Sequence, residues 1–171
     1  DDTVHGYIFT RTYHKNVTLL QKDGSPHQYL PEGHKIDDGA VILDAGVCEG
    51  NFALRYVEKA SKIYLVEADE KWMKVLEKTF EPFRDKVVFC NKFLSGRTNA
   101  KEITTDDLVR GQLDFLKMDI EGSEVYALLG AAETLKRNSV QCAVCAYHRQ
   151  NDDKYITHLL QSYGYKTTPS K

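Results

Sequence analysis

A glycine-rich turn and an acid that follows it are the first residues in this sequence whose types and spacing could do chemistry. Residues 44–50 read D-A-G-V-C-E-G, which spaces an acid and two glycines as D-x-G-x-x-x-G. Glycine lets a backbone turn tightly and approach a ligand where a Cβ atom would collide. Glu67 follows about twenty residues later, the separation at which an acid binds the ribose hydroxyls of an adenosine. The turn alone is also typical of an ordinary strand-to-helix connection, but the joint placement favours an adenosine site.

The same turn distinguishes between two classes of cofactor that carry an adenosine. A dinucleotide needs the G-x-G-x-x-G spacing and a bare helix N-terminus for its pyrophosphate. Here the turn carries Asp44 and Glu49, whose charges would repel a diphosphate and attract the ammonium group of an amino acid. The turn therefore favours S-adenosylmethionine, and an NAD-dependent enzyme stays as an alternative against which the missing glycine pattern counts.

A second group of acids follows the fourth predicted strand, where residues 117–124 read K-M-D-I-E-G-S-E. Together with the turn at 44–50, the acid Glu67 and the pair Leu129-Gly130, this segment resembles the FkbM family of S-adenosylmethionine-dependent methyltransferases. The resemblance runs from about residue 38 to residue 148. It implies a Rossmann-like fold and, for most family members, methylation of oxygen on small molecules or sugars.

The resemblance also implies roles for individual residues, with Asn91 near the adenine and Asp119 facing the methionine end of the cofactor. The expected cofactor-binding residues are Asp44, Gly46, Glu49, Gly50, Asn51, Glu67, Asn91 and Asp119. Two departures concern catalysis. Val47 and Cys48 stand where the family's turn usually has Ala-Asn, and Ala146 stands where the fifth strand usually ends Glu-x-His. A non-catalytic module that binds S-adenosylmethionine therefore stays as an alternative.

His148 is the expected general base, because transfer of a methyl group to a hydroxyl requires removal of a proton and imidazole titrates near neutral pH. We expect it beside Asp119 and Glu121, because the fourth and fifth strands should be neighbours in the sheet. These three residues are the predicted catalytic set, with a solvated loop histidine as the alternative for His148. Asp119 could orient the acceptor or bind the amino group of the cofactor. The three could also ligate magnesium or manganese, but the spacing demands no metal and none is predicted.

Short apolar runs alternate with segments of helical periodicity from residue 36 onward, which predicts an α/β fold with a parallel sheet and helices on both faces. The predicted strands cover residues 41–43, 63–66, 87–90, 113–118, 140–146 and 165–168. After the fourth strand, one helix is predicted with Val125, Leu128, Leu129, Ala132 and Leu135 on a buried stripe. Since the class I methyltransferase sheet needs a sixth and a seventh strand, we expect this one to be incomplete at the C-terminus.

Composition limits the partners and the location. The net charge is −2 and no basic run is present, which argues against a nucleic-acid partner. No apolar stretch approaches the roughly 20 residues that cross a bilayer, and no signal peptide is apparent. We therefore expect a cytoplasmic enzyme acting on a small-molecule acceptor, with no membrane partner. Residues 36–171 are predicted as the methyltransferase domain and residues 1–35 as an extension, in which 7–10 and 17–20 pair as a hairpin or form a lid.

Overall fold

A computed structural model describes residues 29–30 and 34–168 of the chain. The chain divides between Lys35 and Ile36 into two units, and the fold described below is that of the second. The hairpin predicted from residues 7–10 and 17–20 lies outside the described residues. Within them, none of the helices is both long enough and apolar enough to span a membrane.

Parallel strands form the sheet at the centre of this unit. The strands are β1 (Val41–Ala45), β2 (Lys62–Val66), β3 (Val87–Cys90), β4 (Phe93–Leu94), β5 (Glu102–Ile103), β6 (Phe115–Met118) and β7 (Gln141–Val144). Five of them pair in the order β3-β2-β1-β6-β7, and β4 with β5 forms a separate two-stranded ladder. The apolar residues of β1 and β6 are buried, as expected for strands covered on both faces. β2 and β6 lie on opposite sides of β1, so the order of the strands reverses at β1. In sheets of this topology, ligands bind at the carboxyl end of the strand where the order reverses.

Helices connect these strands, and local sequence explains several of their ends. They are α1 (Asn51–Tyr56), α2 (Glu70–Thr79), α3 (Thr105–Leu108), α4 (Glu124–Leu129), α5 (Ala132–Arg137) and α6 (Asp152–Ser162). The Asp69 carboxylate caps α2 by accepting a hydrogen bond of 2.7 Å from the N–H of Lys71. Thr104 caps α3 in the same way, through the N–H of Asp107 at 3.1 Å. Polar residues before each apolar segment therefore set where these helices begin.

The prediction of a single helix after the fourth strand is wrong, because the helix is interrupted at Gly130 and forms two helices, α4 and α5. A Cβ atom on Gly130 would lie 2.3 Å from the carbonyl oxygen of Ser95, so the loop after β4 approaches the backbone too closely for another residue. The Asp106 carboxylate then caps the second helix through the N–H of Thr134 at 2.7 Å. The break turns Leu129 away from the predicted buried stripe and leaves it 51% exposed.

The sixth strand predicted at residues 165–168 is also absent from the described part of the chain. These residues follow α6 without pairing to the sheet. Tyr165 instead anchors them through its side chain, whose hydroxyl donates to the carbonyl of Leu135 at 2.7 Å and accepts from the N–H of Val140 at 3.3 Å. Side-chain bonding to the segment between α5 and β7 thus takes the place of backbone pairing.

Candidate functional site

The glycine turn, residues 44–50, joins β1 to α1 and packs directly against the end of β6. Gly46 has a φ of 73°, and a Cβ atom there would lie 1.7 Å from the carbonyl oxygen of Asp119. The N–H of Gly46 donates to the carbonyl of Val66 at the end of β2, at 3.0 Å. Only glycine fits this position, so the turn is held between the ends of β2 and β6.

Gly50 has a different neighbour from the one the sequence suggested. The sequence predicts it as a cofactor-binding residue at the end of the turn. A Cβ atom there would instead lie 2.8 Å from the ring of Phe80 and 2.9 Å from the side chain of Leu76, and its φ is 85°. The second glycine of the motif therefore allows α2 to pack closely against the turn. The sequence pattern did not predict this contact.

Asp44 was expected in the turn, but it lies within β1 and has no exposed surface. Its carboxylate forms an ion pair with Lys117 of β6, whose Nζ lies 3.1 Å away. The same Nζ donates to the carbonyl oxygen of Gly46 at 2.6 Å. Burial alone would lower the pKa of Lys117, but the carboxylates of Asp44 and Asp119 raise it above its ordinary value. Asp44 thus keeps a charged lysine beneath the turn, and its own charge is neutralised rather than offered to a ligand.

Glu67 follows β2 and is only 9% exposed, although charged residues at strand ends are usually exposed. One carboxylate oxygen accepts the N–H of Cys48 at 3.0 Å, and the other accepts the N–H of Asp69 at 2.9 Å. The side chain therefore joins the glycine turn to the start of α2. These contacts depend on the direction of two backbone N–H groups, which sequence alone does not give.

Cys48 takes a left-handed conformation, with a φ of 48°. Asparagine adopts this region far more readily than most residues, which explains why an asparagine suits this position of the turn. Although Cys48 as a whole is exposed, desolvation of the thiol together with Glu67 and Glu49 raises the pKa of Cys48 to about 12. Its thiol is therefore neutral at pH 7 and not a nucleophile.

The remaining predicted cofactor residues shape the loops at this edge. The Asn51 side-chain amide donates to the Glu49 carboxylate at 3.0 Å at the start of α1. The Asn91 amide donates to the carbonyl oxygens of Glu67 and Ala68, at 2.8 and 3.1 Å. Asn91 therefore holds the loop that carries Glu67.

A second group of side chains lies where β6 and β7 end. We call it the carboxylate–histidine cluster; it consists of Asp119, Glu121, Glu124 and His148. The prediction that Asp119 and His148 share an edge is confirmed, because β6 and β7 are paired and His148 Nε2 lies 3.4 Å from Asp119 Oδ1. Glu121 Oε2 lies 3.6 Å from the same nitrogen. The His148 side chain is only 13% exposed, so the alternative of a solvated loop histidine is wrong.

Sequence reasoning assigned no role to Glu124, which lies in the first turn of α4 and is fully buried. Its Oε1 atom lies 3.0 Å from Nδ1 of His148 and accepts the N–H of Ile120 at 2.9 Å. The sequence did indicate this residue, because Glu124 is the last acid of the K-M-D-I-E-G-S-E segment, five residues after Asp119. Lys117 was missed as well, although a lysine inside an apolar strand is unusual unless it is paired.

The backbone between Asp119 and α4 makes a turn with positive φ angles, and the acids before and after this turn differ in exposure. Glu121 has a φ of 56° and Gly122 a φ of 89°. A Cβ atom on Gly122 would lie 2.7 Å from Nε of Arg149, which follows β7. The Glu121 side chain is 81% exposed, whereas Glu124 two positions beyond this turn is buried. The His148 imidazole therefore lies between the exposed carboxylate of Glu121 and the buried carboxylate of Glu124.

Comparison with known proteins identifies the methyltransferase fold that the sequence predicted. The model of a methyltransferase FkbM domain matches residues 78–167, which is more than half of the chain. No curated protein sequence matches. The solved structure of the methyltransferase FkbM from Methylobacillus flagellatus KT superposes with a TM-score of 0.72 at 23% identity, over 77% of this chain and 39% of that one. The chain thus spans well under half of that protein.

Two other solved structures are more distant in sequence. Precorrin-6y C5,15-methyltransferase from Geobacter metallireducens GS-15 gives a TM-score of 0.55 at 10% identity, over 77% of this chain and 66% of that one. An rRNA methylase from Streptococcus thermophilus gives 0.51 at 13% identity, over 86% and 80%. At these identities the likeness concerns the fold alone, and it agrees with the Rossmann-like sheet predicted from the sequence.

Proposed function

The chain belongs to the FkbM methyltransferase family, and from this premise we propose that it uses S-adenosylmethionine to methylate a hydroxyl oxygen of a small molecule or sugar. One observation carries the proposal. The glycine turn with Glu67 lies at the same sheet edge as the carboxylate–histidine cluster, and the backbone of Asp119 packs against Gly46. The proposed adenosine site and the proposed site of proton removal are therefore adjacent.

The residues present fit this cofactor. Each oxygen of the Glu67 carboxylate accepts one N–H and keeps a second acceptor direction. The proposal assigns these directions to the two ribose hydroxyls. The remaining acids of the edge, among them Glu49 and Asp119, suit a cofactor that carries a sulfonium and an ammonium group. When bound, S-adenosylmethionine supplies a methyl group on positively charged sulfur, and the carbon–sulfur bond breaks as the acceptor oxygen attacks.

The chain's own contribution to the chemistry is to orient the acceptor and take its proton. His148 Nε2 faces Asp119 and Glu121 on the side where β6 ends. Three carboxylates lie within 3.6 Å of this imidazole. Asp119 is placed to orient the acceptor hydroxyl toward this nitrogen.

Ala146 had suggested that a catalytic acid was lost, which would favour a module that only binds the cofactor. The geometry supports an enzyme instead, because His148 has three carboxylates around it without an acid at position 146. The same acidity argues for a small acceptor. A nucleic acid would bring phosphates to an edge that carries several carboxylates and would be repelled.

Calorimetry tests the proposal most directly. We expect saturable binding of S-adenosylhomocysteine to the folded chain and no heat from NAD at the same concentration. Labelled S-adenosylmethionine should then transfer its methyl group to a member of a panel of sugars and small alcohols or phenols. Absence of S-adenosylhomocysteine binding would reject both the enzyme and the binding module, whereas binding without transfer across the panel would favour the module.

A further inference from the structure

The carboxylate–histidine cluster has the composition and spacing of a metal site, although the sequence predicted none. We propose that Asp119, Glu124 and His148 bind a divalent cation, with Mn²⁺ as the best match. One ligand atom of each residue lies within 4.8 Å of those of the other two. The set differs from the one considered from sequence, because buried Glu124 takes the place of exposed Glu121.

The spacing of the ligand atoms agrees with a bound cation. Neighbouring ligands of a six-coordinate cation with bonds of about 2.1 Å lie about 3.0 Å apart. Nε2 of His148 lies 3.4 Å from Asp119 Oδ1, and Nδ1 lies 3.0 Å from Glu124 Oε1. Because one cation binds only one of the two ring nitrogens, binding requires a side-chain rotation that brings the second carboxylate to that nitrogen, from ligand atoms that already lie within 4.8 Å of one another.

An unsatisfied buried atom supplies an independent indication. Oε2 of Glu124 is buried and has no hydrogen-bond partner among the described residues. A buried carboxylate oxygen without a partner is unfavourable, and such atoms are rare unless a ligand satisfies them. Glu124 has no exposed surface from which water could do so. A cation would satisfy this oxygen and offset the repulsion between the carboxylates.

The charge of the nearby Lys117 acts on Asp44 and Asp119, whose carboxylates raise the pKa of this lysine. Lys117 is paired with Asp44 and bound to the carbonyl oxygens of Ala45 and Gly46, on the side of the glycine turn. Two carboxylates and one imidazole suit Mn²⁺ better than Ca²⁺, which prefers oxygen ligands throughout. Coordination sites beyond these three would remain for water or an acceptor hydroxyl.

The role of the cation in catalysis rests on the proposed function, but its binding does not. An acceptor hydroxyl coordinated to the cation would have a lowered pKa and would lose its proton more readily. His148 would then act as a ligand in the metal-bound protein and as the proton acceptor in the metal-free protein.

Electron paramagnetic resonance tests the site without any activity assay, because the signal of free Mn²⁺ is lost on binding. We expect one equivalent of Mn²⁺ to bind the full chain in the absence of cofactor. Glu124→Gln keeps an oxygen for the N–H of Ile120 and should weaken binding at least tenfold, and Asp119→Asn should do the same. Glu133→Gln makes the same change at an exposed position of α5 and should leave affinity within twofold of the parent.

Several outcomes decide the matter. An undiminished Mn²⁺ signal with the parent protein, or equal affinity in the Asp119→Asn variant and the parent, would overturn the metal site. Asp119→Asn decides the question if Glu124→Gln does not fold, as judged by circular dichroism. Separate calorimetry with S-adenosylhomocysteine distinguishes the two proposals, since Mn²⁺ binding without cofactor binding supports this one and rejects the function.

Discussion

The glycine turn and the carboxylate–histidine cluster lie at one sheet edge but are stabilised in different ways. In the turn, charged side chains bind backbone groups: Glu67 accepts two N–H groups, and Lys117 donates to two carbonyl oxygens. In the cluster, charged side chains face one another around His148.

This difference separates what the fold stabilises by itself from what a ligand must complete. Backbone groups satisfied by buried charges give a rigid turn whose shape exists before any ligand binds. Carboxylates that face one another around an imidazole repel each other, and a bound cation would offset that repulsion. Changes in the turn should therefore reduce stability, whereas changes in the cluster should reduce activity with little loss of stability.

Gly46→Ala should have the largest effect and should break the turn. The added Cβ would lie 1.7 Å from the Asp119 carbonyl oxygen, at a φ of 73°. We expect a loss above about 4 kcal/mol, enough to unfold a marginally stable domain. Urea denaturation followed by circular dichroism measures it. Gly164→Ala is the matched control, because its φ is 93° with no atom within 4 Å, and it should lose only about 1 kcal/mol. Equal losses in the two variants would contradict the packing argument.

His148→Ala should show the opposite behaviour, with turnover reduced roughly a hundredfold or more and stability little changed. The reason is that this imidazole takes the proton or holds the cation, while its neighbours are repulsive carboxylates. The rate is measured with labelled S-adenosylmethionine on any acceptor that the parent methylates. His158→Ala, an exposed histidine of α6, should match the parent. Unchanged turnover in the His148 variant would remove it from catalysis.

Glu67→Ala should affect both properties, because this carboxylate belongs to the turn and to the proposed ribose site. Loss of two backbone hydrogen bonds to a charged acceptor should cost about 1–3 kcal/mol of stability. Affinity for S-adenosylhomocysteine should fall at least tenfold, measured by calorimetry below the unfolding temperature. The exposed Glu70→Ala is the control for affinity. Parent-like affinity in the Glu67 variant would reject the ribose assignment.

Cys48→Asn should have the smallest effect and should stabilise the turn. Its φ of 48° is unfavourable for cysteine and acceptable for asparagine, and the N–H bonded to Glu67 is unchanged. We expect a gain of about 0.5–1 kcal/mol in urea denaturation. Cys48→Ala removes the thiol without this conformational preference and should give no gain. A gain in both variants would place the effect in the thiol rather than in the backbone.

Several features were accessible from the sequence because they depend on local pattern or on general rules of parallel sheets. Alternating apolar strands and amphipathic helices predicted the α/β fold, and five of the six predicted strands are present with helices between them as expected. The approach of Asp119 to His148 followed from the pairing of consecutive strands on this side of the sheet. The motif at 44–50 predicted the position of a tight turn after β1.

The roles of Glu124, Lys117 and Glu67 were decided only by the tertiary structure. Glu124 meets His148 24 positions later in the chain, and Lys117 meets Asp44 across 73 positions. The break at Gly130 likewise depends on the approach of Ser95. Sequence periodicity reports which face of a helix or strand is apolar, over a few residues at a time. Which polar atom a distant segment places opposite a buried charge depends on packing in three dimensions, and so these contacts could not be inferred from the sequence.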